Sequence, residues 1–527
     1  MPQVSGVLDM PYLQSFEVVF FGQTGFEIRG FGSHREVLWI FGKKGYTLIL
    51  HLRKPLHAAV LNVFTIVLLA GYIGYTIAHS HPLLWLLPTS MILVVIVFKN
   101  PRVGIYAMLI SLYLFDWLND PFGILPRQLT WTKDLVILVL LLRALILMVE
   151  RKRTLRTPID VLLGLFVLAG CVSSLINSTS LIVVALGFRH ALKYILFFYV
   201  LVYSDFEERF LQRLILVILL IAFVQIPIAI VEYSLWRPSL MALGPAMIRW
   251  DFVTGTLPRA SSGVLSLFLV SVMCILIGFG MYCKDIRIRA LMLIPLLFIP
   301  LPFAMSRATF LFLPLVVLYL LVKNAGHRTI LRFSYGVVLF LVFFSIVYLT
   351  PYLAKYDVGD WLLDPRFVYM EQAGPSQAGK DLGRITGVRF VVDYLKGQPY
   401  GRLFGVGPGM WSESYFSSFT GEIRETFSEY NAPDRNQIAR TLSEFGLVGL
   451  ILYFLIVYKV YRMNQVLFKK VNDNYWKAIS FGFSGIIFLY VVASIYIPLL
   501  YYDAPAFLFW TLAGTVFTIG RKKGIFR

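Results

Sequence analysis

Apolar stretches of about 17–25 residues, the length that a hydrocarbon core of about 30 Å requires, recur along the whole chain with short charged segments between them. Hydrophobic residues make up 58% of the 527 residues and charged residues only 15%. A water-soluble domain cannot bury so much apolar surface, whereas a bilayer accommodates it. The sequence therefore predicts an all-α, polytopic membrane protein.

Hydropathy predicts about fourteen transmembrane helices. They are residues 56–79, 81–98, 102–118, 131–149, 158–176, 181–203, 211–233, 261–283, 288–305, 308–322, 331–352, 441–460, 477–500 and 505–520. The predicted domains are a cytoplasmic N-terminal extension, helices 1–11, an extracytoplasmic loop domain, and helices 12–14 with the C-terminus, at residues 1–55, 56–352, 353–440 and 441–527. No cleavable signal peptide is predicted.

The positions of Lys and Arg predict the orientation. If the N-terminus is cytoplasmic, most of the 48 basic residues fall in cytoplasmic segments such as Arg151-Lys152-Arg153 and Arg521-Lys522-Lys523, as the positive-inside rule requires. The C-terminus is then cytoplasmic as well. This topology, with attraction to anionic membrane lipids, explains the net charge of +19, so no nucleic-acid partner is predicted.

Two segments outside the predicted spans have their own patterns. In the N-terminal extension, residues 16–28 and 46–52 are rich in aromatic and β-branched residues, which predicts short strands or an interfacial hairpin. The loop 353–440 is the longest polar stretch, and loops of this length in a compact protein are usually functional. Within it, helical periodicity is found over 384–396 and again from Asn436 onward.

Basic residues on the predicted outer side are the first candidates for chemistry. Arg259 lies just before a span, Arg307 lies in a tight turn, and Arg189, His190 and Lys193 lie within the sixth span. Positive charge there is disfavoured by topology and costly in the apolar zone, whereas a guanidinium group binds phosphate oxygens in a forked geometry. We therefore expect a lipid-linked phosphate or pyrophosphate. The alternatives are arginines that snorkel to anchor a span end and, for residues 189–193, a structural polar seam.

The long loop ends with a second group of candidates. The glycine-rich turn Leu403–Gly409 allows either close approach to a ligand or a plain surface turn. The helix that begins near Asn436 has apolar residues on one face, so we expect the other face to meet substrate. Trp411 is expected to stack on a sugar, with packing in the core of the loop as the alternative.

These segments resemble the O-antigen ligase and O-antigen polymerase superfamily of membrane glycosyltransferases, which use undecaprenyl-pyrophosphate-linked glycans. The resemblance covers roughly residues 180–460, not residues 1–55, and its elements occur in the family's order: Arg259 to Gly263, Ser306-Arg307, Gly383-Arg384, Leu403 to Gly409, and Asn436 with Glu444 to Gly449. Ligases of this family carry His-Asn where this chain has Arg435-Asn436, and residues 353–440 contain no His. This departure favours the polymerase branch.

The resemblance implies polymerisation of lipid-linked repeat units at the outer face of a bacterial inner membrane. The implied partners are the lipid-linked glycan, membrane lipids, and a flippase and chain-length regulator of the same pathway. Arg259 and Arg307 are expected to contact the pyrophosphate and Arg435 to add a third cation. Asp434 is the first candidate for the general base, with Glu429, Glu413 and His190 as other candidates. Asp434 could instead cap the following helix. Substrate contacts are expected from Arg189, His190, Lys193, Arg384, Trp411, Asn436, Gln437 and Glu444.

Other function classes remain open at this point. No Asp-x-Asp pair occurs on the predicted outer side, so neither a metal nor another cofactor is predicted, although Asp116 and Asp120 keep a metal-using glycosyltransferase of another architecture open. A ligase would transfer the glycan to a different acceptor. A flippase or transporter should show internal repeats and broken midplane helices, for which the sequence gives no convincing sign. A non-catalytic scaffold would not need arginines at the outer edge.

Overall fold

The computed structural model describes residues 6–7, 16–21, 25–30, 86–119, 129, 131–150, 156–242, 253–257, 262–304, 307–323, 384–412, 420–427, 436–499 and 501–526. The chain divides into two compact units, Met1–Pro88 and Thr89–Arg527. In the first unit, strands β1 (Gly6–Val7), β2 (Phe16–Phe21) and β3 (Gly25–Gly30) form an antiparallel sheet in the order β1-β2-β3. Phe16 of β2 lies opposite Gly30 of β3. The second predicted stretch, 46–52, lies outside the described residues.

The described remainder of the chain is helical. Its helices are α1 (Leu86–Lys99), α2 (Pro101–Ile110), α3 (Asp116–Asn119), α4 (Thr132–Glu150), α5 (Asp160–Ile176), α6 (Leu181–Tyr203), α7 (Glu208–Ala242), α8 (Ser262–Tyr282), α9 (Arg287–Phe298), α10 (Pro300–Ala304), α11 (Arg307–Lys323), α12 (Arg384–Lys396), α13 (Gly401–Phe404), α14 (Glu422–Thr426), α15 (Gln437–Lys470), α16 (Asn474–Ala493) and α17 (Asp503–Lys522). A π-helical turn at Ser111–Phe115 joins α2 to α3.

Five of these helices are long and apolar enough to cross a membrane. They are Leu181–Tyr203, Glu208–Leu235, Ser262–Tyr282, Gln437–Lys470 and Asn474–Ala493. Shorter apolar helices occur at Ser90–Lys99, Pro101–Phe115, Asp160–Ile176 and Phe312–Lys323. The predicted spans 56–79 and 331–352 lie outside the described residues, so the prediction of fourteen spans remains a prediction.

Several predicted boundaries can be compared with the helices, and three of them are informative. The helix predicted over 384–396 is confirmed as α12. The span predicted over 211–233 is part of a longer helix, because α7 continues to Ala242. The span predicted over 288–305 is divided into α9 and α10. Pro300, the first residue of α10, accounts for this division, because it lacks the backbone N–H that a continuous helix needs there.

Helix α8 lies at the centre of the second unit. Its residues are apolar on every side and are buried from Ser262 to Gly280, as expected for a helix surrounded by other helices. It packs mainly against α16, and α17 packs mainly against α6. The α8–α16 contact is close because both helices have glycine there. A Cβ on Gly278 would lie 2.2 Å from the Ala478 carbonyl oxygen, and one on Gly482 would lie 2.6 Å from the Cys274 carbonyl oxygen.

The described part of the loop 353–440 is folded. Its buried side chains form a hydrophobic cluster that also includes one residue of α6 and one of α15: Val183, Val391, Leu395, Val406, Met410, Trp411, Ile423 and Ala439. Helices α12 and α13 both contact α15. The described part of the loop therefore holds a fixed position at the start of α15, where several sequence candidates lie.

Candidate functional site

The segment Gly405–Gly409, which follows α13, lies against a kink in α15. At the kink Gly446 has a φ of 66°, and opposite it Gly405 has a φ of 75°. A Cβ on Gly446 would lie 2.3 Å from the Leu403 carbonyl oxygen, and one on Gly405 would lie 2.6 Å from the Gly446 nitrogen. Only glycine combines this backbone conformation with so close an approach. We call Gly405–Gly409 together with the kink the glycine dock.

Hydrogen bonds complete the glycine dock. A break in a helix leaves carbonyl groups without their usual partners. Here the Val406 N–H donates to the Ser443 carbonyl oxygen at 2.8 Å, and the Gly407 N–H donates to the Glu444 carbonyl oxygen at 3.1 Å. The turn therefore supplies the donors that the kink in α15 requires.

The glycine dock also contacts α5, α6 and the turn between them. Asn177 donates from Nδ2 to the Gly405 carbonyl oxygen at 3.1 Å. A Cβ on Gly187 of α6 would lie 2.2 Å from the Gly409 nitrogen. Residues 405–412 are all buried. The alternative of a plain surface turn is therefore wrong, and these glycines approach protein backbone at the contacts described.

The start of α15 is fixed by Asn436. Its Oδ1 accepts a hydrogen bond from the Ala439 N–H at 2.6 Å, and its Nδ2 donates to the Arg384 carbonyl oxygen at 3.0 Å. The Gln437 N–H donates to the Ser494 carbonyl oxygen at 2.9 Å. The N-cap is therefore Asn436, and the alternative role of Asp434 as the cap is wrong. Asn436 also ties α15 to the loop helix α12.

A buried group of polar side chains follows one turn later in α15. The Arg440 guanidinium carbon lies 3.5 Å from the centre of the Tyr501 ring, and Arg440 donates from Nη2 to Ser412 Oγ at 2.8 Å. The Tyr501 hydroxyl donates to Glu444 Oε2 at 2.6 Å. The Arg440 Nε lies 3.6 Å from Glu444 Oε1, and the Glu444 side chain is 0% exposed. We call Ser412, Arg440, Glu444 and Tyr501 the arginine–tyrosine group.

The protonation of Tyr501 follows from its surroundings. Burial and the neighbouring Glu444 carboxylate hold the pKa of the Tyr501 hydroxyl well above its usual value. Tyr501 therefore stays protonated at neutral pH and donates to Glu444. The carboxylate in turn is the counter-ion that allows Arg440 to be buried. At Arg440 and Glu444, the face of α15 that the sequence assigned to substrate is thus buried and bound within the protein, and substrate contact there stays a prediction.

Five charged side chains form a second group next to the first. Asp503, at the start of α17, lies 2.6 Å from Lys133 and 2.7 Å from Lys193. Asp134 lies 3.2 Å from Lys193 and is also paired with Arg189. Three cations therefore share two carboxylates. We call these five residues the charge cluster.

Members of the charge cluster differ in exposure. Lys193 contacts both carboxylates and its side chain is 11% exposed, whereas Arg189 contacts only Asp134 among them and is 39% exposed.

His190 lies between the charge cluster and the arginine–tyrosine group. Its Nε2 lies 3.5 Å from Arg189 Nη1, and its ring centre lies 6.3 Å from that of Tyr501. The polar-seam alternative thus fits Lys193 well and Arg189 less well.

A further contact involves Tyr496, which like Tyr501 lies in the segment that follows α16. The Arg384 guanidinium carbon lies 4.7 Å from the centre of the Tyr496 ring. The Tyr496 ring also meets the beginnings of two helices. A Cβ on Gly263, the second residue of α8, would lie 2.9 Å from Tyr496 Cε1, and the Phe312 ring of α11 lies 5.7 Å away. Helices α8 and α11 therefore begin near the starts of α12 and α15.

One segment takes part in the contacts at the starts of α12 and α15, in the arginine–tyrosine group and in the charge cluster. Residues 494–503, between α16 and α17, contribute the Ser494 carbonyl group, the Tyr496 ring, the Tyr501 side chain and the Asp503 carboxylate. We call this segment the connector. Sequence reasoning assigned no role to this segment, and it placed Arg440 only on the face of α15 that was expected to meet substrate. The available signal was Tyr501-Tyr502-Asp503, a polar aromatic and acidic group between two predicted spans.

The sequence-predicted residues are placed unequally. Arg259, Asp434 and Arg435 lie outside the described residues. For Arg307 the structure gives only the backbone, as the first residue of α11. Described and close to the connector are Arg189, His190, Lys193, Arg384, Asn436, Gln437 and Glu444.

Trp411 belongs to the core of the loop. Its side chain is 0% exposed, and its ring stacks on that of Phe427 with the ring centres 6.0 Å apart. Phe390 and Tyr394 also make edge contacts with it. The alternative reading of Trp411 as loop core therefore fits the structure, and a sugar cannot stack on this ring without displacing its neighbours.

Within the described residues, no group of three or more His, Cys, Asp or Glu residues could hold a metal ion. Asp120 is outside that part of the chain. The described site offers guanidinium, ammonium, carboxylate, imidazole and phenol groups. No family model matches this chain, and no curated protein matches it.

Proposed function

We propose that this protein is a membrane glycosyltransferase that polymerises undecaprenyl-pyrophosphate-linked oligosaccharide units, as in the assembly of O-antigen, capsule or exopolysaccharide. In this proposal the chain crosses a bacterial inner membrane about fourteen times, with both termini in the cytoplasm. The connector and the loop 353–440 then lie at the outer face. The lipid-linked glycan is the substrate, and a flippase and a chain-length regulator are the expected partners.

The observation that carries the proposal is the convergence of cationic side chains on the connector. Lys193 of α6 pairs with Asp503, Arg384 of the loop helix α12 contacts Tyr496, and Arg440 of α15 contacts Tyr501. Intramembrane or membrane-edge cations are costly and usually mark a binding site. A site that gathers them at one end of a helical bundle suits a substrate with an anionic head and a long apolar tail.

The proposed reaction needs a leaving group and an acceptor. The acceptor hydroxyl oxygen forms a bond to the anomeric carbon of the donor sugar, and the bond from that carbon to the pyrophosphate oxygen breaks. The pyrophosphate leaves with the bonding electrons, so its negative charge grows in the transition state. Arginine side chains stabilise such charge with short, charge-assisted hydrogen bonds. The proposed chemistry therefore calls for no cofactor.

Residue roles follow from position. Arg259 and Arg307 are proposed to contact the pyrophosphate, because they are close in sequence to the starts of α8 and α11. Arg435 is proposed as a further cation at the start of α15. Arg440 is held by Tyr501 and Glu444, and we add it as a residue that shapes the cationic site.

The proton of the acceptor hydroxyl needs a base. Asp434 and His190 remain the candidates that a polymerase would place near the reacting sugar. Glu444 is less suited to proton transfer with substrate, because its carboxylate is fully buried and accepts from Tyr501. We therefore assign Glu444 the role of positioning Arg440 instead of the substrate contact expected from the sequence.

Glycan analysis of a deletion strain tests the proposal. Single repeat units that accumulate on the lipid carrier, outside the cytoplasm, would support a polymerase. Normal polymer that fails to reach its final acceptor would support a ligase, the alternative within the same superfamily. Repeat units trapped on the cytoplasmic side would support a flippase and exclude the proposal.

Substitution of the proposed pyrophosphate ligands tests the roles directly. Arg259→Ala and Arg307→Ala should each abolish polymer while the protein remains in the membrane, and Arg→Lys should restore little because lysine lacks the forked geometry. Polymer length and yield are measured on gels, and protein is measured by immunoblot. Wild-type polymer in either Ala variant would remove that arginine from the site.

A further inference from the structure

A short non-helical stretch, Val253–Leu257, is buried inside the helical unit. Val253 and Leu257 are almost fully buried. A Cβ on Gly255 would lie 2.3 Å from Gln225 Oε1 of α7 and 3.3 Å from Leu265 Cδ1 of α8. Gln225 lies well inside the candidate span Glu208–Leu235, about 15 Å along the helix axis before its end. The stretch between α7 and α8 therefore reaches back to the level of the membrane.

Glu232 of α7 binds the first half of this stretch. The N–H groups of Thr254 and Gly255 both donate to Glu232 Oε2, at 3.0 Å and 2.7 Å. The other carboxylate oxygen, Oε1, lies 3.3 Å from the indole nitrogen Nε1 of Trp117, which donates to it. Glu232 is 2% exposed, so both of its oxygens are used within the protein.

Gln225 binds the second half. The Thr256 N–H donates to Gln225 Oε1 at 2.8 Å, and Gln225 Nε2 donates to Thr256 Oγ1 at 2.8 Å. The next N–H, that of Leu257, donates to the Thr254 carbonyl oxygen at 3.3 Å. Four consecutive backbone N–H groups are thus satisfied inside the protein. Gly255 has a φ of 62°, which glycine tolerates best.

These contacts have a physical reason and a cost. Irregular backbone at membrane depth is stable only where its polar groups are satisfied within the protein. A carboxylate and a carboxamide in the middle of an apolar helix are expensive and usually serve a function. A connection that merely joined α7 to α8 could pass outside the membrane and would need neither.

We propose that Gln225 and Glu232 are positioning residues that hold Val253–Leu257 as a re-entrant turn, and so fix where the chain enters α8. The consequence of this turn for catalysis rests on the proposed function. Arg259 follows Leu257 by two residues in the sequence and precedes Ser262, the first residue of α8, by three. Fixing the turn limits how far a guanidinium group at position 259 can move from the pyrophosphate.

The first test measures how accessible the turn is to a reagent in water, and it does not depend on the reaction. A cysteine introduced as Thr254→Cys keeps the backbone N–H that binds Glu232. Intact cells are labelled with a membrane-impermeant maleimide, and the same protein without Thr254→Cys gives the background from the natural cysteines. Adding Glu232→Ala or Gln225→Ala should speed labelling roughly tenfold, because losing one hydrogen bond to a charged or buried group changes an opening equilibrium by about that factor.

The matched control for this labelling test is Glu208→Ala, on the same helix. Glu208 also accepts from an indole, Trp476 Nε1, but it lies at the other end of α7. It should leave the labelling rate at Thr254→Cys unchanged. Equal labelling rates with and without Glu232→Ala would overturn the proposal.

The second test uses the reaction and a rescue. Glu232→Gln places an amide group where Oε1 accepted from Trp117, so two donors face each other. The rate of polymer formation per protein is measured at several concentrations of the lipid-linked donor, so that KM and kcat are obtained separately. We expect kcat/KM to fall roughly tenfold. Adding Trp117→Phe removes the opposing donor and should restore most of that loss. A double variant no better than Glu232→Gln would overturn the positioning role. If the wild type forms no polymer, the proposed function fails while the labelling result still decides on the turn.

Discussion

The glycine dock and the connector lie next to each other on α15 but are held together by different forces. The glycine dock uses backbone hydrogen bonds and glycines, with Gly405 and Gly446 in conformations that other residues rarely adopt. The connector is bound through side chains that carry or meet charge: Tyr501 contacts Arg440 and donates to Glu444, and Asp503 pairs with Lys193. One region is fixed by shape and the other by charge.

This difference separates stability from chemistry. A backbone contact has few alternatives, so its loss should unfold the region around it. Paired charges can be exchanged in pairs with little loss of stability, so they can be altered while the fold remains. We therefore expect substitutions in the glycine dock to lower the amount of folded protein, and substitutions at the connector to lower activity before stability.

The largest effect is expected from Gly446→Ala. The added Cβ would meet the Leu403 carbonyl oxygen at 2.3 Å while φ is 66°, and backbone strain plus overpacking should destabilise the protein by roughly 3–5 kcal/mol. Thermal unfolding in detergent and the amount of folded protein measure this. Gly164→Ala in α5 is the control, since a Cβ there meets nothing within 4 Å. A melting temperature that falls equally in both variants would contradict the role of the glycine dock.

A smaller effect on the fold and a large effect on polymer are expected from Arg440→Ala. It leaves Glu444 buried without its cation, which should destabilise by about 3 kcal/mol. The double variant Arg440→Met with Glu444→Gln removes both charges and keeps an acceptor for Tyr501, so stability should recover to near wild type. Polymer should stay absent in both variants.

One further variant makes the Arg440 test decisive. Arg402→Ala, which removes an exposed arginine of α13, should leave both polymer and stability unchanged. Normal polymer in the stable double variant would show that Arg440 and Glu444 serve the fold alone. Melting temperature and polymer yield are measured on the same preparations.

The sequence predicted the helical class and the loop helix α12 well, because apolar periodicity and length alone determine them. It named Arg384, Asn436 and Glu444 among the expected substrate contacts, because each lies in an element of the resemblance. The (i, i+4) spacing places Arg440 and Glu444 on one face of α15, but the sequence could not predict that Tyr501 contacts both side chains. That contact joins α15 to the connector, which lies far along the chain, and no local pattern records such a pairing.

Two other features of the structure could not be predicted from the sequence, for physical reasons. The glycine-rich turn was compatible with a surface turn, because glycine frequency does not tell which neighbour the backbone approaches. The burial of Val253–Leu257 was hidden as well. It depends on Gln225 and Glu232, two polar residues inside a predicted span whose partners lie beyond the end of that span.

The smallest effect on stability is expected within the charge cluster, where two cations differ. Lys193 contacts both Asp134 and Asp503 and is nearly buried, so Lys193→Met should leave two carboxylates under-compensated and lower the melting temperature. Arg189 is more exposed and shares only Asp134 among these carboxylates, so Arg189→Met should change stability by less than about 1 kcal/mol. Under the proposed function it should instead raise the KM for the lipid-linked donor several-fold with little change in kcat, because an exposed guanidinium group helps to bind the pyrophosphate before and during the reaction. An unchanged KM in Arg189→Met would show that the whole charge cluster is a structural polar seam. The proposed cationic site would then consist of the other arginines named in the proposal.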